Sequence, residues 1–223
     1  MLRALIRKDV LGNRFPLLLA AALFAASYGA AATLGSLDPS LSALPPGRRL
    51  FTVLFAGSLG SHAVAQLSLA VLSGNLIAVE RADRSAEFLA YLPPSRSMVL
   101  RAKASLLAVT AILLFLLPLA IGGLAGWISG SLQGDGFRRS VLTVGSISAL
   151  GFCGSGIGWL GSCCLQSNAV AILFAILTPW ILAILVSVSG GAESPAILVA
   201  ANLSVGLAGF LFGTRHYLHR VEP

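Results

Sequence analysis

The stretch Ala78 to Lys103, AVERADRSAEFLAYLPPSRSMVLRAK, is an island of charge between two long apolar runs. It holds eight of the chain's 23 Asp, Glu, Lys and Arg residues: Glu80, Arg81, Asp83, Arg84, Glu87, Arg96, Arg101 and Lys103. Ionised side chains are costly in hydrocarbon, so this stretch belongs at or beyond a membrane surface. Within it, Asp83 or Ser85 is placed to cap a short helix carrying Glu87, Phe88, Leu89, Tyr91 and Leu92, which Pro93 and Pro94 then stop. A short capped helix with apolar side chains, held between two spans, reads as a docking element.

The rest of the chain is too apolar for a soluble domain. Of 223 residues, 57% are hydrophobic and 10% charged, whereas an ordinary soluble domain has about a quarter of its residues charged. Apolar runs of about 20 residues recur, enough to cross a bilayer as helices. They are continuous rather than alternating, which selects helices over a closed barrel. The expected fold is therefore an all-α integral membrane protein with six spans in a single domain over 1–223. The spans fall at about Pro16 to Leu34, Phe51 to Val79, Met98 to Trp127, Ser140 to Leu160, Ala169 to Val188 and Pro195 to Gly213. No fixed-period repeat is present, and no room is left for a soluble domain.

Punctuation between the runs supports this division. Leu2, Leu5, Ile6 and Val10 share one helical face, with Arg3, Arg7, Lys8 and Arg14 elsewhere, as expected of a helix lying along the membrane surface. A cleaved leader would share the basic start and the small residues Ala30 to Ala32, but a basic amphipathic segment this long before the apolar core favours the surface helix. Asp38, Pro39, Pro45, Pro46 and Gly47 make Gly35 to Arg49 a loop, Gly130, Gly134 and Gly136 do the same for Ser129 to Arg139, and Thr214 to Pro223 reads as a polar tail. Pro118 is expected to kink the third span, and Arg101 and Lys103 to snorkel to the interface from its first turns. Eleven Lys and Arg lie in the amino-terminal segment, the island and the tail, against four in the two opposite loops. The positive-inside rule then puts both termini and the island in the cytosol, with the chain in the cytoplasmic (inner) membrane.

The formal charge of +7 reads as topology signal rather than as a nucleic-acid surface, because the cations collect at the ends of apolar runs. Cys153, Cys163 and Cys164 have neither metal-ligand nor disulfide-framework spacing and read as small packing residues. Glu80, Asp83 and Glu87 resemble a metal cluster only until the interleaved Arg81 and Arg84 are counted; helix ion pairing is the simpler account. No phosphate-cradling GxxxxGK[ST], HExxH or GxSxG pattern occurs. No acidic residue falls mid-span, where an ion-coupled carrier would usually hold one. Energy for any pumping would come from another subunit. Ser58, His62 and Gln66, spaced by four, share a face of the second span, with Ser73 and Asn75 further along it, and the sixth span carries Asn202 and Ser204. Bonding between neighbouring helices is their commoner use, and lining a pathway the other.

A resemblance now becomes specific. Glu80-Arg81, Ser85-Ala86-Glu87-Phe88-Leu89, Leu92-Pro93-Pro94-Ser95-Arg96 and Lys103, preceded by Leu5-Ile6-Arg7-Lys8-Asp9 before the first span, resemble the short permeases of type-two ATP-binding-cassette exporters. In that family an acidic-basic pair ends the second span, a short coupling helix follows, and a Leu-Pro-x-Ser-Arg element and a Lys open the third. An elbow helix precedes the first span. Arg84-Ser85 stands where the family often has Gly-Thr.

The resemblance implies a division of labour. A separate ATPase would use ATP and Mg, and its dimerisation would push on the coupling helix. Phe88, Leu89, Tyr91 and Leu92 would fill a groove on that ATPase, with Glu80, Arg81, Arg84 and Glu87 at the rim. A second permease copy, identical or paralogous, would complete a pathway for which Ser58, His62, Gln66 and Asn202 are the candidates. The chain itself would be no enzyme and would bind no cofactor. Two other classes stand beside this reading: a membrane assembly or anchoring protein, and a membrane-embedded enzyme acting on lipid. Nothing in the sequence selects among peptide, lipid, drug, polysaccharide and haem or metal-related cargo.

Overall fold

A computed structural model describes residues 2–82, 95–130, 135–188 and 195–219, with the side chains of 81–82 and 135–140 left aside. Among the described residues the chain is helical throughout, without strands: α1 Leu2–Gly12, α2 Arg14–Leu37, α3 Pro39–Ser42, α4 Pro46–Asn75, α5 Ala78–Ala82, α6 Arg96–Ile128, α7 Asp135–Cys164, α8 Asn168–Val188 and α9 Pro195–His219. Six of them, α2, α4, α6, α7, α8 and α9, are long and apolar enough to cross a membrane. Six such helices make a multi-pass membrane protein.

The central helix is α4, which packs against α2, α6, α7 and α8, while α9 lies chiefly along α7. Small residues set that last contact. A Cβ added at Gly206 would stand 2.8 Å from the Phe152 carbonyl oxygen, and one added at Gly156 would strike the carbonyl of Gly206. In lipid, where hydrophobic burial gives no preference for helix over acyl chain, such close backbone approach is what holds helices together. Leu69, Leu72, Leu76, Leu107, Trp159 and Cys163 belong to the buried core beneath it. The outer faces of α6 and α8, with Leu113, Leu116, Ile181 and Leu185, are exposed and apolar, as hydrocarbon-facing surfaces must be.

Several boundaries differ from those read off the sequence. The Gly35 to Arg49 segment is mostly helical: α2 runs on to Leu37, and α3 starts where the Asp38 carboxylate accepts from the Ser40 backbone N–H at 2.9 Å with Pro39 behind it. The Ser40 hydroxyl, which donates to the same carboxylate at 2.7 Å, and then this N–H hold the Asp38 carboxyl below its ordinary range. Pro46 opens α4 because proline is tolerated in a first turn, where its missing N–H would have no partner. Helix α7 begins at Asp135, inside the expected loop, and α9 continues through the polar tail to His219. The helix α6 runs on through Pro118, which is buried within it.

The expected second span, Phe51 to Val79, is two helices. It breaks at Leu76 and Ile77, between α4 and α5. The break is satisfied from both sides: Ser162 Oγ accepts from the N–H groups of Ile77 at 2.8 Å and Ala78 at 2.9 Å, and Lys103 Nζ donates to the Leu76 carbonyl at 2.6 Å. Asn168 donates to Asn75 Oδ1 at 3.1 Å, fastening the start of α8 to the same turn.

Candidate functional site

The charged island is rooted in a buried ion cluster. Ser95 Oγ accepts from Met98 N–H and so caps α6. Two turns on, Lys103 points inward and is only 1% exposed. Its ammonium donates to Leu76 O at 2.6 Å and Asp9 Oδ1 at 3.2 Å and is ion-paired with Glu80 Oε1 at 3.0 Å. Lys8 reaches the same Glu80 oxygen at 2.6 Å from the more exposed side. Two cations and two carboxylates from α1, α5 and α6 thus meet at one point. A buried charge survives only when paired and hydrogen-bonded in this way.

The electrostatics are not symmetric. Burial raises the Asp9 carboxyl above its ordinary range, and the neighbouring Lys103 pulls it only part of the way back. The expectation that Lys103 snorkels to the interface is corrected here: its ammonium turns into the bundle because these three oxygens are gathered there, while Arg101 remains exposed. This cluster was missed in the sequence. Asp9 and Lys103 are 94 residues apart, and Lys8 and Glu80 are 72 apart. The usable signal was a cation and carboxylates at three helix ends on one side.

Of the residues read as a coupling interface, Glu80 ends up in the cluster and Arg81 lies in α5. Arg84, Glu87, Phe88, Leu89, Tyr91 and Leu92, with the proposed cap at Asp83 or Ser85, lie outside the described residues.

The polar face of α4 has the predicted register but three different neighbours. Ser58 lies 3.2 Å from the Tyr28 hydroxyl of α2 and donates to Leu54 O. His62 Nδ1 pairs with Ser58 O at 2.7 Å, its ring tilted against Phe115 of α6, while Nε2 has no partner. Gln66 donates to Ile147 O of α7 at 2.9 Å. Asn202 sits on α9, fully buried, donating to Leu198 O with Oδ1 unpartnered. The structure therefore keeps Ser58, His62 and Gln66 on one helix face, and the cavity between α6, α7 and α9 is lined by other residues than these and Asn202.

Among the described residues no three His, Cys, Asp or Glu side chains gather as a metal site would require. Comparison with protein-family models, curated proteins and solved structures gave no match.

Proposed function

We propose that the chain is the permease subunit of a type-two ATP-binding-cassette exporter, moving a substrate across the cytoplasmic membrane with ATP hydrolysed by a separate subunit. The observation that carries this reading is the Asp9–Lys103–Glu80 cluster. It ties the amino-terminal surface helix to both flanks of residues 83–94, where the coupling-helix motif lies. A push on that segment would load α5 and α6 together, and α4 through the Leu76 turn. The orientation in which the cluster faces the cytosol follows from the distribution of Lys and Arg. An apolar centre of Phe88, Leu89, Tyr91 and Leu92 with a charged rim suits a protein groove.

The test is purification of the native complex. An ATP-hydrolysing subunit is expected to accompany the protein and to be lost on Phe88→Asp with Leu89→Asp. An unchanged complex would sink the coupling assignment. Absence of any ATPase would favour the anchoring reading, and catalysis on lipid by the purified chain alone would favour the enzyme.

A further inference from the structure

A cavity of about 520 Å³ lies between α6, α7 and α9, with Leu69 of α4 also in its lining. Its walls are chiefly apolar, and two of the three hydroxyls among them are turned back on their own helix. Ser148 and Ser155 donate back to Val144 and Gly151 of their own helix, and Thr214 accepts from the Trp159 indole at 3.2 Å. Ala104 and Ala108 on one wall and Leu203 on the other are exposed, so the cavity opens sideways, where the spans meet lipid. The occupant is thus hydrocarbon.

Exposed cations adjoin the lining residues of α6 and α9. Arg101 lies one turn before Ala104 on the same face of α6, and Arg215 follows Thr214 on α9; both are exposed. Lys8 and Lys103, the neighbouring lysines, are already paired. An exposed cation above an apolar slot matches a phosphate above an acyl chain. We propose that this groove binds one acyl chain of an anionic phospholipid, with the headgroup at Arg101 and Arg215. The proposal needs only the membrane-spanning fold and stands apart from the exporter reading.

Trp159, 2% exposed, lines the groove, whereas Trp127 and Trp180 are 73% and 55% exposed. With Trp127→Phe and Trp180→Phe, emission comes from Trp159 alone. The protein is reconstituted in equal mixtures of phosphatidylglycerol and phosphatidylcholine, with bromine on the acyl chains of one or the other. Quenching is expected mainly from brominated phosphatidylglycerol, with a preference of roughly fivefold per basic side chain engaged. Arg101→Gln should reduce the preference, and Ala108→Phe or Leu203→Phe, each filling the groove, should abolish quenching by either lipid. Unquenched Trp159, as a groove filled by a second copy would give, overturns the proposal. So does quenching that survives both filling variants, or equal quenching by the two lipids.

Discussion

Lys103 Nζ lies 3.2 Å from Asp9 Oδ1, across 94 residues of sequence, with both side chains buried. The pair joins the helix before the first span to the opening of the third. Removing Lys103 would leave the buried Asp9 carboxylate without its ion-pair partner and Glu80 with Lys8 alone. Lys103→Met is therefore expected to destabilise the protein by about 3–5 kcal/mol. Adding Asp9→Asn and Glu80→Gln to that variant should restore much of the loss, since an uncharged site of similar volume avoids the desolvation cost. Thermal unfolding in detergent measures both. A triple variant no more stable than Lys103→Met would refute this account.

The Asp9 carboxyl gives a pH dependence whose sign is opposite to that of an ordinary salt-bridged aspartate. Its pKa in the folded protein is raised from the ordinary 3.8, burial being the main cause. Between those two values the folded state binds the extra proton, so the Asp9 contribution to stability grows as pH falls through the raised value and levels off below about 3.8. Lys8, Lys103 and Glu80 all face this group. Melting temperatures followed from pH 7 downward should show the native protein gaining relative to Asp9→Asn. Parallel curves for the two would show that Asp9 is not the group responsible.

The six spans were legible in the sequence because hydrocarbon imposes a single requirement, length with low charge, that local composition reveals. Their ends were less so. Pro46 and Asp135 look like loop residues, yet each opens a helix, because a first turn has backbone N–H groups with no helical partner and so tolerates proline and favours acid. Lys103 was misread for a related reason. A lysine near the start of a span normally reaches outward for water, and only the folded chain shows that Asp9, Glu80 and the Leu76 carbonyl replace it. The register of Ser58, His62 and Gln66 follows from helical periodicity, whereas their three different neighbours depend on how the helices assemble.

Ser162 is a single hydroxyl supporting a helix break. Its oxygen accepts from both Ile77 and Ala78, whose backbone is buried. Ser162→Ala leaves two N–H groups without that acceptor, at a cost of about 1–3 kcal/mol for each left unsatisfied. The turn between α4 and α5 is expected to loosen first. Amide hydrogen exchange at Ile77 and Ala78 should rise in the variant while the middle of α4 keeps its protection; exchange unchanged at both positions would show that another group holds the turn.

The crossing of α7 and α9 leaves no room for a methyl group at Gly156, where an added Cβ meets the Gly206 carbonyl, or at Gly209, where it would lie 2.5 Å from the Gly156 carbonyl oxygen. Backbone cannot swing aside as a side chain does, so the helices must separate. Gly156→Ala is expected to cost about 3 kcal/mol, the upper end of ordinary overpacking. Gly145→Ala on the same helix meets nothing within 4 Å and should be neutral. Equal melting temperatures for the two variants would contradict the close approach.

The polar side chains within the spans separate by whether their bonds cross between helices. Gln66 bonds Ile147 O on another helix, so Gln66→Leu is expected to lose about 0.6 kcal/mol, the average for such bonds in a membrane. His62 and Asn202 bond only their own helices and each buries an atom without a partner. Replacing an unsatisfied polar group by an apolar one of similar shape is nearly neutral or favourable, so His62→Leu and Asn202→Leu should leave stability unchanged or raised. Retaining such unpaired atoms makes sense where a second conformation supplies partners. If the exporter reading holds, the same two variants should therefore slow substrate transport in vesicles carrying the complete complex, while Gln66→Leu should act mainly through stability. Full transport by His62→Leu and Asn202→Leu would reduce both residues to packing and remove them from the pathway.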